Sequence, residues 1–196
     1  RTGSFFACEQ EHIIPDIVTI AKGLGAGYQP IGAALCTDRI YDAIAANSGF
    51  FQHGHTYIGH PVACAASLAV MHRILDDDLC TRVRQQGELL NDKLHEKLGQ
   101  HPYVGDIRGR GLFRGIELVE DRSAKTPFAR ARNIAGTIKK QALELGLICY
   151  PMQGTIDGKQ GDHVLLAPPF IISDAEIDQL VDLLGNAIDL SIAGSV

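Results

Sequence analysis

Short apolar runs in the first part of the chain predict strands. The runs are Asp16–Ile20 and Ile31–Cys36, each bounded by glycine, proline or polar residues. Thr37 or Asp38 then stands where an N-cap is expected, ahead of a short helix that reaches Ala46. The first part of the chain is therefore predicted to combine strands and helices.

A loop and a second helix follow. The segment Asn47–His60 holds aromatic residues, histidines and glycines without any periodicity, so it is predicted to be a loop. Pro61 suits the first turn of a helix. The next residues, VACAASLAVMHRIL, carry small side chains over most of the surface, which predicts a buried helix packed closely on its neighbours.

Beyond the acidic run Asp76–Asp78, a predicted hinge, the pattern changes to single apolar stripes. Gly99 and Gly146 would end the first two helices, and the residues from Ser173 to Glu176 form a capping box for the third. The three stripes are Val83, Leu90, Leu94 and Leu98; Ile134, Ile138, Ala142 and Leu145; and Ile177, Leu180, Val181, Leu184 and Ile188.

Strands are predicted between these helices. IRGRGLFRGIELVE indicates two strands about a glycine turn, and Leu147–Tyr150 and His163–Leu166 are further strand candidates. The chain is therefore predicted to be α/β over residues 1–75 and a compact α+β domain over residues 76–196.

Composition excludes several classes of protein. Of the 196 residues, 45% are apolar and 21% charged, which is typical of a globular protein rather than a disordered one. The net charge of −5 gives no basic footprint for nucleic acid, and no run approaches the roughly 18 apolar residues of a membrane span. The five scattered cysteines form no CxxC pair, which favours a reducing compartment, the cytoplasm. Because the chain begins with RTGSFFACEQ, without Met, we expect a fragment.

Lys22 is the first candidate for chemistry. It stands where the first predicted strand meets the glycine loop GLGAG. Desolvation on one side would disfavour the ammonium form and make the amine a usable nucleophile, as Schiff-base lysines require. The alternative is a surface lysine at a strand end. The loop itself lacks the GxGxxG and GK[ST] patterns of nucleotide sites.

The loop FFQHGHTYIGHP is the second candidate. Its histidines, His53, His55 and His60, fit neither HExxH nor a zinc-finger spacing, and the segment lacks cysteine and carboxylate. Thr56 offers a hydroxyl and an N–H ahead of a helix N-terminus, which suits a phosphate. A loop packed for structural reasons is the alternative.

Together these segments resemble the class III, or omega, aminotransferases. The motifs PDIVTIAKGLGAGYQPIGAAL, FQHGHTYIGHPVACAASLAV, RGRGLFRGIELVED and GDHVLLAPPFIISDAEID follow in the family's order. The resemblance implies an α/β chain of fold type I, which depends on pyridoxal 5′-phosphate (PLP). Residues 1–75 would be the C-terminal part of the large PLP-binding domain, and residues 76–196 the small α+β C-terminal domain.

The resemblance also assigns site residues. Lys22 would be the catalytic lysine that holds PLP as a Schiff base. Thr56, with His55 beside it, would bind the cofactor, Thr56 through the phosphate of the neighbouring subunit. The family's sites are thus shared across a homodimer. Family members are much longer, and their N-terminal half supplies a phosphate loop, a stacking ring and an aspartate at the pyridine nitrogen.

The implied reaction is transamination between an amino donor and a keto acid. Relatives bind substrate carboxylates with an arginine in or before the APP segment, but here Leu165 stands in that region and Lys159 is the cation upstream. Arg108, Arg110 and Arg114 are expected to be solvated or salt-bridged. We therefore expect an omega-amino acid or amine donor and a pyruvate-like acceptor. An aminomutase, a decarboxylase or an inactive truncated product are the alternatives.

Overall fold

The computed structural model describes residues 1–193 and divides into two compact units. Phe5–Leu79 forms one unit, and Arg1–Ser4 packs with the chain from Cys80 onward in the other. The boundary predicted between residues 75 and 76 falls inside a helix that runs to Asp76, so the division lies a few residues later. Arg1–Ser4 joins the later unit because the Leu112 N–H donates to the Arg1 carbonyl at 3.1 Å and Arg84 donates to the Gly3 carbonyl.

The unit Phe5–Leu79 contains two strands and two α-helices. The strands pair antiparallel, with Ile17 opposite Cys36 and Ile20 opposite Ala33. The strand and helix predictions for this region are confirmed, although the Thr37 hydroxyl makes no capping bond. The elements are β1 (Ile17–Ile20), β2 (Ala33–Cys36), α1 (Asp38–Ala46) and α2 (Pro61–Asp76).

The prediction that α2 is a buried helix is wrong for the described chain. Only Ala63 and Ser67 are buried, whereas Val62, Leu68 and Leu75 are more than half exposed. Small residues allow another element to pack closely against a helix, but the helix is buried only if such an element is present. Within this unit the described partner of α2 is the turn that starts at Lys22.

The later unit is a four-stranded antiparallel sheet with three helices. The sheet order is β3-β4-β6-β5, so the last hairpin pairs with β4 through β6. The glycine turn predicted in IRGRGLFRGIELVE is confirmed between β3 and β4. The elements are α3 (Leu79–Leu98), β3 (Val104–Arg110), β4 (Phe113–Leu118), α4 (Ile134–Glu144), β5 (Tyr150–Gln153), β6 (Asp162–Leu166) and α5 (Asp174–Ala193).

One apolar core holds this unit together. The stripes predicted on the three helices point inward: Leu90 and Leu94 of α3, Ile138 of α4 and Leu184 and Ile188 of α5 are fully buried. The capping box also forms, because the Glu176 carboxylate accepts from the Ser173 N–H at 2.8 Å and the Ser173 hydroxyl accepts from the Glu176 N–H at 3.3 Å.

The strand predicted over Leu147–Tyr150 begins at its last residue instead. Gly146 adopts φ 90°, and the Leu147 N–H donates back to the Ala142 carbonyl at 2.8 Å. This left-handed helix end occupies the residues before Tyr150, so pairing with β6 begins only there. Among residues 1–193, no helix has the length and apolar character to cross a bilayer.

Candidate active site

Lys22 lies on strained backbone just beyond the end of β1. It opens a 3-10 turn, Lys22–Leu24, and has φ 49°, in the left-handed region that non-glycine residues rarely adopt. The turn is closed by hydrogen bonds from Leu24 N–H to Ala21 and from Gly25 N–H to Lys22, at 3.1 and 3.2 Å. Such conformations cost about 1–3 kcal/mol and cluster at functional sites.

The glycine loop leaves open space beside Lys22. Nothing lies within 4 Å of the position that a Cβ would take at Gly23 or Gly27. At Gly25 the opposite holds, since a Cβ would lie 2.8 Å from the Gln29 carbonyl oxygen. Gly25 is therefore needed to fold the loop tightly, and Gly23 and Gly27 keep its outer side clear.

The desolvation expected for Lys22 is not provided by the described residues. Its side chain is exposed, as are most residues of the loop around it. The expectation rested on β1 as a buried strand, but Ile17 and Thr19 of β1 are themselves exposed. Lys22 is thus accessible as an amine, without the low-polarity surroundings that the sequence predicted.

His55 and Thr56 lie on the loop before α2, and both are exposed. The His55 ring stands edge-on to Tyr57, with the centroids 6.4 Å apart, and the Ile58 N–H donates to the His55 carbonyl at 3.3 Å. Within the part of the chain that the structure describes, no hydrogen bond joins Lys22 to either residue. The Thr56 hydroxyl is open to a ligand from outside.

Helix α2 connects the two candidate segments. The Ser67 hydroxyl donates to the Leu24 carbonyl at 2.9 Å, so the Lys22 turn is fixed to α2. At the other end, His60 Nδ1 accepts from the Ala63 N–H at 3.4 Å and caps the helix, with Pro61 in its first turn. Sequence reasoning missed this cap because histidine is not among the favoured N-cap residues.

Of the arginines in the β3–β4 hairpin, Arg108 is salt-bridged, as predicted, whereas Arg114 is buried rather than solvated. Arg108 pairs with Asp106 at 2.8 Å and with Glu117 at 2.6 Å, and these hydrogen bonds raise the pKa of its guanidinium. Arg114 is buried and donates to the carbonyls of Gly109 and Gly87, and burial lowers its pKa. Both guanidinium groups are therefore committed to the protein itself.

Lys159 lies on the exposed loop between β5 and β6. The Asp157 carboxylate holds this loop by accepting from the N–H groups of Lys159 and Gln160 at 2.9 and 2.7 Å. These bonds lower the pKa of Asp157. Over residues 1–193, no group of three or more histidine, cysteine, aspartate or glutamate residues is arranged to hold a metal ion.

Comparisons with known proteins agree on one family. The family model described as aminotransferase class-III matches residues 1–188. An uncharacterized aminotransferase of Schizosaccharomyces pombe is 47% identical over 98% of this chain and 42% of its own length. An uncharacterized aminotransferase of Bacillus subtilis is 40% identical over 96% of this chain and 42% of its own length.

Solved structures match over the same share of their length. A transaminase from a marine Virgibacillus superposes with a TM-score of 0.92 at 33% identity, covering 99% of this chain and 43% of its own. A PMP-bound aminotransferase from Vibrio fluvialis gives 0.88 at 32% identity, covering 100% and 42%. This chain therefore spans about two fifths of the length of these relatives. It belongs to the class III aminotransferase family.

Proposed function

We propose that the chain carries part of the active site of a PLP-dependent aminotransferase, with Lys22 as the residue that binds the cofactor covalently. The observation that carries the proposal is the position of Lys22, in a strained turn beside an open glycine loop, within a match to the family model over residues 1–188. The unit Phe5–Leu79 would be part of the large domain of fold type I, and the later unit its small α+β domain.

The residues present fit such a cofactor. PLP supplies an aldehyde that condenses with amines and a ring that withdraws electrons from the attached carbon. Lys22 offers an accessible primary amine for the aldehyde, and the space outside Gly23 and Gly27 is clear for a flat ring. Two of the similar solved structures, both from Vibrio fluvialis, are described as PLP-bound and PMP-bound.

Lys22 has two roles in this proposal. Its Nζ first holds the cofactor in place. When it is not bound to the cofactor, Nζ would act as the general base that takes the proton from the amine-bearing carbon of the donor, and then as the general acid that delivers it to the former aldehyde carbon of the cofactor. The clear side of the glycine loop gives Nζ room for both positions.

His55 and Thr56 would bind the cofactor at its phosphate. The Thr56 hydroxyl and N–H are exposed on a loop that leads into α2, where the helix dipole favours a negative group. Because no hydrogen bond joins this loop to Lys22 in the described chain, we propose that Thr56 serves the site of a second subunit in a homodimer.

The proposed substrates are an omega-amino acid or amine as donor and a keto acid such as pyruvate as acceptor. Arg108 and Arg114 are engaged with protein groups. The ammonium of Lys159 could offer a substrate carboxylate only a point charge, whereas an arginine binds a carboxylate through two parallel hydrogen bonds. An (S)-enantioselective omega-transaminase from Thermomicrobium roseum is among the similar structures. We also propose a cytoplasmic location, because all five cysteines are free.

Borohydride reduction tests the assignment of Lys22. The protein is loaded with PLP, reduced and digested, and the pyridoxyl group is located by peptide mass spectrometry. We expect the label on Lys22. Lys125 is a matched control, because it also has a left-handed backbone, with φ 52°. A label on Lys125 or Lys159 would overturn the assignment.

The products distinguish the alternative reactions. Beta-alanine, an aromatic amine and ornithine are offered separately, and the visible absorbance of the loaded protein is followed. Transamination converts the donor to a carbonyl compound, whereas an aminomutase moves the amine within the substrate and a decarboxylase releases carbon dioxide. An absorbance unaffected by any amine indicates that the chain alone is a truncated product without activity.

A further inference from the structure

The tetrapeptide Arg1–Ser4 is docked on the later unit through its own backbone, and we call these four residues the strap. The Leu112 N–H donates to the Arg1 carbonyl at 3.1 Å, and Arg84 of α3 donates to the Gly3 carbonyl. Gly3 is buried and has φ 96°, and a Cβ there would collide with the Arg84 side chain. Glycine at this position therefore allows the strap to lie directly on α3.

The strap also crosses the turn between β3 and β4 at backbone distance. A Cβ at Gly111 would lie 2.7 Å from the Arg1 carbonyl oxygen and 2.9 Å from the carbonyl carbon of Thr2. The same turn approaches α3, because a Cβ at Gly87 would lie 2.5 Å from the Gly111 Cα. The turn is thus in close contact with both the strap and α3.

The Arg1 side chain attaches the strap to the connection between β6 and α5. Its Nη1 donates to the carbonyl oxygens of Ala167, at 2.9 Å, and of Pro168, and its Cζ lies over the Phe170 ring, 5.1 Å from the centroid. These neighbours shield the guanidinium partly from water, and this desolvation lowers its pKa. Two carbonyls and an aromatic face therefore form a binding site for one planar cation.

The two halves of this connection are held from different places. In the second half, Arg82 of α3 donates to the carbonyls of Phe170 at 3.2 Å and of Ile172 at 2.8 Å. Gln86, also on α3, donates to the Ile172 carbonyl at 3.3 Å. The first half, with the carbonyls that Arg1 binds, is held by the strap. Helix α3 therefore fixes one half of the connection, and the strap fixes the other.

We propose that the strap is a releasable attachment on the later unit, held in its docked position by the Arg1 guanidinium. The chain passes between the two units twice, after Ser4 and after Leu79. Helix α3 begins at Leu79 and so fixes the second crossing, whereas the first crossing depends on the strap. Undocking of the strap would therefore free the polypeptide that leads into Phe5–Leu79, while α3 keeps its place.

The strap can undock without opening the core. Its four residues lie outside the apolar cluster of the later unit, and hydrogen bonds and one ring contact hold it instead. Segments held in this way open locally at a smaller cost in free energy than a packed core does. In the undocked state, water replaces Arg1 as the partner of the Ala167 and Pro168 carbonyls and of the Leu112 N–H. The strap and the first half of the connection therefore change state together.

Hydrogen exchange at single amides, followed by NMR on this chain, tests the proposal. The Leu112 amide is bonded to the strap itself, whereas the Ile172 amide donates to the Pro169 carbonyl at 3.1 Å, next to the carbonyls that Arg82 holds. For Arg1→Gln we expect exchange at Leu112 to be at least about tenfold faster, with exchange at Ile172 unchanged. For Arg82→Gln we expect the reverse, faster exchange at Ile172 and wild-type exchange at Leu112.

Arg122→Gln is the matched control, because Arg122 also donates to two backbone carbonyls of the later unit. It should leave the exchange at Leu112 and Ile172 unchanged. Wild-type exchange at Leu112 in Arg1→Gln would overturn the proposal. Equal acceleration at Leu112 and Ile172 in that variant, or loss of its native fold, would overturn it too, since a releasable strap opens without loosening the rest of the unit.

A fluorescent reporter separates the geometry of the guanidinium from its charge. The chain contains no tryptophan, so Phe170→Trp introduces a single emitter at the ring that Arg1 covers. Adding Arg1→Gln should shift its emission to longer wavelength, because the ring becomes more exposed to water, and an unchanged emission would contradict the proposal.

Arg1→Lys should give the same shift and the same fast exchange at Leu112, since lysine lacks the planar fork that bonds two carbonyls and stacks on a ring. A lysine variant that behaves as the wild type would show that charge alone holds the strap, against the role assigned to the guanidinium. These readouts involve neither PLP nor activity, so they stand apart from the assignment of Lys22.

Discussion

The backbones of Gly87 in α3 and Gly111 in the β3–β4 turn are in direct contact. A Cβ at Gly87 would lie 2.5 Å from the Cα of Gly111, closer than real side chains allow. Arg114 secures this approach, since its buried guanidinium donates to the Gly87 carbonyl at 2.8 Å and to the Gly109 carbonyl at 2.9 Å. The helix and the hairpin are thus held together at a point where only glycine fits.

Gly87→Ala is therefore expected to destabilise the later unit by about 1–3 kcal/mol or more, because the backbone of Gly111 cannot move aside as a side chain can. Gly185→Ala in α5 is the matched control. There the nearest atom is the flexible Lys97 Cε at 3.1 Å, so alanine's better helix propensity should leave stability unchanged or raise it by up to about 1 kcal/mol. Urea unfolding followed by circular dichroism measures both changes, and equal destabilisation would refute the contact.

The side chain of Asp162 should also stabilise the later unit, through a buried hydrogen bond to the start of α4. This buried residue of β6 accepts from the Ala135 N–H in the first turn of α4 at 3.0 Å, where the N-cap residue Asn133 makes no side-chain cap. Asp162→Ala leaves that buried N–H without its partner, so we expect a loss of about 1–3 kcal/mol. Asp162→Asn keeps an acceptor oxygen and should cost less. If both variants unfold at the wild-type urea concentration, the bond contributes nothing.

The contrast between α5 and α2 explains which features the sequence could predict. The capping box and stripe of α5 depend on residues within a few positions of each other, so they are visible locally. The exposure of α2, by contrast, depends on what else packs against it. The same limit applies to Lys22, whose position between strand and glycine loop is local but whose desolvation requires neighbours from elsewhere in the fold.

Contacts between distant segments were also beyond prediction. Nothing around Arg1 indicates that its guanidinium donates to the Ala167 carbonyl at 2.9 Å and stacks over Phe170 at 5.1 Å. Such contacts place Arg1–Ser4 with the later unit of the structure, although these residues stand at the start of the sequence. The Asp162 cap of α4 is hidden in the same way, because its two partners are 27 residues apart.

His163 should make stability depend on pH. Burial, followed by the nearby Arg108, lowers the pKa of His163 below its ordinary value of 6.5, against the opposing effect of Glu117 and Asp162. Its Nδ1 also bonds to the Thr155 hydroxyl at 2.8 Å. Because the unfolded chain binds this proton more readily, the contribution is complete above about pH 6.5 and is lost as the pH falls below it.

Replacement of His163 by glutamine is expected to remove this part of the pH dependence. The free energy of unfolding of the wild type should decline between about pH 6.5 and 5, and that of His163→Gln should stay nearly flat there. Carboxylates such as Glu176, whose pKa is lowered by its bonds to Ser173, act only nearer their ordinary value of 4.5. Identical slopes for both proteins over this range would contradict the assignment.

The chain by itself is expected to be a poor catalyst. Lys22 is exposed, so PLP can reach its amine, but most of the described residues around it are exposed too and would bury little of a cofactor. A cofactor that lacks one well-placed charged partner commonly loses a few kcal/mol of transition-state stabilisation, or about a hundredfold in rate. Loose orientation of the cofactor lowers the rate further.

The absorbance change of the PLP-loaded chain on addition of beta-alanine measures the rate of the first half-reaction. We expect it to be far slower than about 1 per second, and slower than in a hybrid protein in which this chain replaces the matching segment of the Schizosaccharomyces pombe relative. Lys22→Ala should abolish it in both, whereas Lys159→Ala should leave the lysine-dependent step intact. A chain that reacts alone at an ordinary enzymatic rate would show that the described residues already form a sufficient site.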